Sequence, residues 1–266
     1  GAYRLYLNGD FVLRMGKVGK NESSHQTENT PKIAFFVVEK EYFTIAIQAS
    51  NFNHLHGGLE NPMRIGVGTT ISRQFQQLMM SIGLVCGAVL GVGIFTLMFS
   101  VFQQAIGRGS IRVFVFGIFI LFLALHNLFS APYAYTTFTN VSWLWGVRLE
   151  YLFTYLAVVF FISYMFLLNR RYLHPVVYGL AMLILSIDMV VTLFTVPEFF
   201  QRFAFYSSLI SPIVILNFAH GFYLTMKSKE QYSSINLWAV ILLCVTFLHD
   251  FLLSLNFIDS FNLSFI

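Results

Sequence analysis

The period of apolar positions changes near residue 72. Before it, Tyr3-Arg4-Leu5-Tyr6-Leu7 alternates into Asn8-Gly9, and Phe11-Val12-Leu13-Arg14 follows. A period of two marks half-buried strands, and Asn-Gly, tolerant of positive φ, is the strongest short hairpin signal. Residues 17–32, rich in Gly, Ser, Asn, Glu and Thr, predict a loop. Further strands are expected at 33–38 and 43–48, with a short one at 63–67. Short strands separated by turn signals predict part of an antiparallel sandwich. Such a sandwich takes about 100 residues when complete, so the chain is expected to begin inside this domain.

After residue 77 the pattern belongs to another solvent. Residues 78–102 carry no charge, and about 20 apolar residues suffice to cross the hydrocarbon core. Five more apolar spans are expected at 113–129, 149–168, 176–196, 206–226 and 235–256. The chain therefore divides into a β domain at 1–71, a linker at 72–77 and a transmembrane helical domain at 78–266. The fold class expected is a membrane all-α helical bundle, six spans of seven, preceded by a partial all-β jelly-roll-like extracytoplasmic domain.

Composition agrees with the pattern: 57% of residues are apolar, 11% are charged and 31 of 266 are Phe, far from the make-up of a soluble domain. The net charge of +4 forms no basic run or stripe, which excludes nucleic acid as a partner. The charges serve topology instead. Arg108, Arg112, Arg170, Arg171, Lys227 and Lys229 occupy one set of links, against Arg202 alone in the alternate set. That asymmetry, counted over short loops, puts the first set in the cytoplasm and the strand-rich segment outside it. Six spans from an outside N-terminus return the chain to the outside, so a seventh span and a cytoplasmic output are expected beyond residue 266. Cys86 and Cys244 both lie in apolar runs, where a thiol behaves as a small hydrophobe.

Several motifs together resemble a known family. Tyr3-Arg4-Leu5-Tyr6-Leu7-Asn8-Gly9, Met15-Gly16-Lys17-Val18-Gly19, Ile47-Gln48-Ala49-Ser50-Asn51-Phe52, His56-Gly57-Gly58-Leu59 and Ile65-Gly66-Val67-Gly68 are similar to the extracytoplasmic galactose-binding-like domain of bacterial seven-transmembrane receptors with diverse intracellular signalling modules. Arg148-Leu149-Glu150-Tyr151, His249-Asp250-Phe251-Leu252-Leu253 and Asn256-Phe257-Ile258-Asp259 are similar to that family's membrane region. The resemblance implies a sensor in the bacterial inner membrane with a periplasmic jelly-roll for a small-molecule or carbohydrate-like ligand. It also implies a seven-helix transducer, a homodimer, and an output such as a histidine kinase or diguanylate cyclase. The chain lacks the front of the jelly-roll, the seventh helix and the output module, so it is expected not to be an enzyme itself.

Polar side chains inside a bilayer are costly unless paired or wet, and each is a functional candidate. At about 1.5 Å per residue, His126, Asp250 and Asp188 fall about 5, 9 and 12 Å inside the outer ends of their helices. Arg148 and Glu150 open the third helix on that side. His126, Asn127, Arg148, Glu150, Asp188, His249 and Asp250 are thus candidates for one polar layer beneath the soluble domain, able to switch arrangement as that domain moves. The same groups could merely fix helix register. Asn217 and His220 lie in the inner half of the fifth span and are expected to serve packing or hydrogen bonding. In the β domain, Ser50, Asn51 and Phe52 with Gly57 and Gly58 form a closing turn motif. His54 and His56 in that turn lack a third ligand, so no metal or cofactor is expected. No phosphate loop, nucleophile elbow or metalloprotease helix occurs.

Two other functions are weighed. An ion-coupled transporter could use Asp188 and Asp250, although no inverted repeat is evident. An intramembrane enzyme could use His126 and His249 with an acid around a metal. Gly83, Gly87, Gly91 and Gly93, with Ser81 and Ala88, give the first span a face along which a neighbouring helix or a second subunit can approach closely.

Overall fold

The computed structural model describes residues 1–38, 42–53 and 63–227, together with Trp238, Ile241, Leu242, Val245 and His249 as single helical positions. The first strands form where alternation predicts them. Strands β1 (Ala2–Leu7) and β2 (Asp10–Met15) pair antiparallel around a two-residue turn with φ of 52° at Asn8 and 95° at Gly9. Both angles are left-handed, as a turn matching the strand twist requires. Strand β3 (Ile45–Ser50) adds to the other edge of β1, giving the order β2-β1-β3. Asn8 fastens its entry, donating its N–H to the Thr44 carbonyl and accepting the Thr44 N–H at Oδ1, each at 2.9 Å.

Two expected strands do not form. Residues 33–38 and 63–67 carry no sheet pairing, so the described residues hold a small three-stranded sheet rather than a jelly-roll. The apolar run at 33–38 does not alternate and so has no exposed face to separate from a buried one. Its Phe35 ring lies against the start of the first long helix, 3.2 Å from where a Cβ on Gly68 would stand.

That helix, α1, spans Gly68–Ala105 without a break. The expected linker at 72–77 is therefore helical and continuous with the first span. It is followed by α2 (Ile111–Phe129), α3 (Trp143–Leu168), α4 (Pro175–Phe194), α5 (Pro197–Ser207) and α6 (Ser211–Lys227). Residues 197–205, expected as a link, are helical. Pro197 at the first turn has φ preset for a helix, Glu198 complements the helix N-terminus, and Phe200 and Gln201 give the segment a buried face. A short 3-10 turn at Ser208–Ile210 joins α5 to α6. Among the described residues five segments are long and apolar enough to cross a membrane, the fifth being Pro197–Lys227. The sixth expected span, 235–256, lies outside the described residues except at the single positions named above.

Helices α1 to α4 pack in chain order, α2 between α1 and α3, with α5 and α6 against α4. The α1–α2 contact is close because each helix offers a glycine to the other's leucine. A Cβ on Gly93 would come within 2.7 Å of Leu121, and one on Gly117 within 2.8 Å of Leu97. Gly87 and Gly91 face open space, so the small-residue face of α1 is only partly used within the chain. Only 11% of the α1 apolar window is buried inside the molecule, against 28% for Pro197–Lys227. The exposed Phe, Leu and Val side chains are what a lipid-facing surface requires.

At the end remote from the sheet, Ile162, Met165, Tyr172, Leu173, Ala181, Val214, Phe218 and Phe222 form a buried core. Tyr172 stacks on Phe222 at 4.2 Å, and Asn217 Oδ1 accepts the His174 N–H at 2.8 Å, locking the α3–α4 link to α6. His220 is exposed.

Candidate functional site at the domain end of the bundle

Among the described residues the sheet domain meets the bundle at a polar contact to Tyr135, besides the Phe35 ring at Gly68. Between α2 and α3 the chain turns over Ser130–Ser142 and inserts Tyr135, which is 1% exposed. The Asn29 amide of the β domain donates to the Tyr135 hydroxyl at 3.1 Å, with the reverse contact, hydroxyl to Asn29 Oδ1, at 3.4 Å. The Tyr135 ring stacks on Phe129 with centroids 4.4 Å apart and planes 7° from parallel. Its hydroxyl end fits over Gly146 of α3, where a Cβ would stand 1.9 Å from the oxygen. Only glycine leaves that space. Burial pushes the Tyr135 phenol up; the Asn29 hydrogen bond opposes this and the nearby Glu150 carboxylate adds to it.

From Tyr135 the rings continue between α2 and α3. Phe129 meets Phe153 edge-on at 5.3 Å, and Phe122 meets Phe153 at 6.1 Å and Phe160 at 5.7 Å. Deeper, Phe119 lies 5.4 Å from Phe161, which lies 6.2 Å from Phe218 in the remote core. Offset and edge contacts of this kind add about 0.5–1.5 kcal/mol each beyond burial. The rings thus form two runs between α2 and α3, one from Tyr135 to Phe160 and one from Phe119 to Phe218 in the remote core.

The expected polar layer separates into three groups. His126 of α2 bonds through Nδ1 to Thr154 Oγ1 at 2.8 Å, and that hydroxyl also donates to the Glu150 carbonyl at 2.8 Å. Asn127 Oδ1, beside it in sequence, is buried with no hydrogen-bond partner among the described residues. Arg148 donates to the Thr195 carbonyl at the end of α4 at 3.0 Å and lies 5.3 Å over the Trp145 ring. Asp188 is 3% exposed and sits with Tyr155 of α3, Thr192 one turn along α4, and Ser207 at the end of α5. Gln201 and Thr192 are buried in the same region, and Tyr151 meets Phe200 edge-on at 5.3 Å. His249 is a half-buried helical position, and Asp250 lies outside the described residues.

Sequence reasoning passed over Asn29, Tyr135, Thr154, Tyr155, Thr192, Gln201 and Ser207. A signal existed for some of them. Arg148, Tyr151 and Tyr155 recur at helical spacing in an apolar span, as do Asp188, Thr192 and Thr195. On antiparallel helices these two stripes face each other.

In the β domain, Ser50 Oγ accepts the Gly19 N–H at 3.2 Å and bonds His25 Nδ1 at 2.8 Å, while Phe52 meets the His25 ring edge-on at 5.4 Å. Asn51 continues directly from β3. Gly57, Gly58, His54 and His56 lie outside the described residues. Burial lowers His25. Burial alone would raise Glu28, but hydrogen bonds from Lys32 and the Gly16 N–H and the Lys32 charge bring it below its ordinary value. Among the described residues no three His, Cys, Asp or Glu side chains gather as a metal site. No protein-family model matches the chain, nor does any curated protein or solved structure.

Proposed function

We propose that this chain is the sensing and transducing part of a membrane receptor, of the kind found in the bacterial seven-transmembrane receptors whose motifs it resembles. The β domain stands outside the cytoplasm of an inner-membrane protein, and the Lys- and Arg-bearing links face inward. A small-molecule or carbohydrate-like ligand, or pairing of two copies, shifts the β domain relative to the bundle. The chain conveys that shift and leaves any catalytic output to a cytoplasmic module.

The observation that carries this reading is the joint between Asn29 and Tyr135. A domain merely tethered to a bundle needs no buried tyrosine reaching up to it, nor a glycine notch to seat that tyrosine. Here the two bodies touch at a group whose other end is stacked into the helices. Two experiments test the reading. A cysteine replacing Ser23 in intact cells should react with a membrane-impermeant maleimide added from the periplasmic side; protection there with reaction from the cytoplasmic side refutes the orientation. In the full-length protein, Tyr135→Phe and Asn29→Ala should change basal output in the same direction. Wild-type output from both, at normal abundance, refutes transduction through this joint.

A further inference from the structure

One buried ionisable group has no part in that joint. Asp188 lies six residues from the outer end of α4, about 9 Å in at 1.5 Å per residue, and is 3% exposed. Its Oδ1 is sealed from solvent without a hydrogen-bond partner among the described residues, and the buried Tyr155 and Thr192 hydroxyls lie beside it. Ser207 of α5, whose hydroxyl donates to the Ala204 carbonyl at 3.0 Å, lies beside the carboxyl group. No cation approaches it among the described residues. On α3, Arg148 is two turns outward of Tyr155 and held at the Thr195 carbonyl; on α5, Arg202 is exposed and pairs with Glu198 at 2.6 Å; on α6, His220 is exposed. The other titratable groups on this face of α3 are the neutral phenols of Tyr151 and Tyr155.

A bare carboxylate in such a place is costly, and an intramembrane acid resolves that cost by pairing, by metal coordination or by taking a proton. Pairing is not offered among the described residues. Hard metal ions gather about six oxygens, and this site brings one carboxyl and a few hydroxyls. The geometry points to Asp188 as an intramembrane proton-binding site. A proton from water adds to Oδ1, and the resulting O–H has the Tyr155 and Thr192 oxygens beside it as acceptors. When α5 draws away from α4, water reaches the group and the proton leaves, restoring the carboxylate. The switch is therefore between packed and protonated, and opened and ionised.

Infrared difference spectroscopy of the full chain in nanodiscs, wild type against Asp188→Asn, tests this directly. The expected result at pH 7 is an un-ionised carboxylic C=O band in the wild type that the variant lacks. Dicyclohexylcarbodiimide, which attacks protonated carboxyls in apolar surroundings, should label Asp188 as read by peptide mass spectrometry, with labelling falling as pH rises. A carboxylate band at neutral pH with no label overturns the inference. So does an acid band that appears only when sodium is withdrawn, which would assign the site to a metal cation. Should Asp188→Asn fold poorly, Asp188→Glu keeps the test, since it must retain the band and the label. None of these readouts depends on signalling, so this inference and the receptor reading can fail separately.

Discussion

Removing either partner of the Asn29–Tyr135 contact should cost unequal amounts. Asn29→Ala leaves the Tyr135 hydroxyl, in a residue 1% exposed, without its partner. A buried group so orphaned costs about 1–3 kcal/mol. Tyr135→Phe keeps the stack on Phe129 and leaves only the half-buried Asn29 amide, which water can reach. The loss should then be the ordinary net worth of a neutral hydrogen bond, about 0.5–1.5 kcal/mol. In the Tyr135→Phe background, Asn29→Ala should cost almost nothing, because the oxygen it would orphan is gone. Reversible unfolding in mixed micelles by added sodium dodecyl sulfate measures all four corners of this cycle. Trp143 and Trp145, which open α3 close to Gly146, supply the fluorescence signal. Equal costs of Asn29→Ala in the two backgrounds, within the additivity error of about 0.3–0.5 kcal/mol, refute the reasoning and reduce the contact to coincidence.

Other outcomes follow from neighbouring geometry. Gly146→Ala should expel Tyr135 from its notch, since the new methyl would stand 1.9 Å from the phenol oxygen; limited proteolysis should then cut the 130–142 link faster, and unchanged cleavage disproves the fit. Replacing Arg148 by Met should loosen the α3–α4 end by about 1.5–3 kcal/mol, the worth of a hydrogen bond from a charged group, readable as faster hydrogen exchange around Thr195; an unaltered exchange rate there shows the bond to be idle. The sheet domain should lose stability on acidification in two stages. His25 is lowered in the fold, so its contribution is complete above the unfolded histidine value of about 6.5 and falls away as pH drops below it. Glu28 is also lowered, so its contribution holds above the unfolded value of about 4.3 and is lost as pH falls through its folded value. His25→Gln should erase only the first stage in a pH series of thermal unfolding, and a wild-type profile in that variant contradicts the assignment.

What could be read from the sequence was local or chemical. Asn8-Gly9 carries its own turn geometry, so the β1–β2 hairpin was legible, and uncharged length made the spans legible. The 33–38 run was not, because apolar content without alternation says nothing about which edge, if any, will accept it. Residues 197–205 read as a link between two apolar spans, although Pro197 and Glu198 carry a helix-start signal. Candidate residues in the bundle were found by their expense in lipid, which singles out Arg148 and Asp188 but not their partners. Tyr155 and Thr192 are cheap anywhere, and only packing of α3 on α4 makes them part of a site. Tyr135 escaped because its importance comes from a contact across 106 positions of chain.

Mechanically, α1 is a beam. Its 38 unbroken residues measure about 57 Å, nearly twice the hydrocarbon thickness of about 30 Å. Its tightest seat is at Gly93, where Leu121 bears on the backbone. Roughly 37 Å of beam lies on the sheet side of that pivot and 18 Å on the other at 1.5 Å per residue. A sideways push of about 2 Å at Gly68 would thus emerge near Ala105 as about 1 Å in the opposite direction, by the ratio of those two arms. Motion delivered this way is halved, reversed and correspondingly stronger in force.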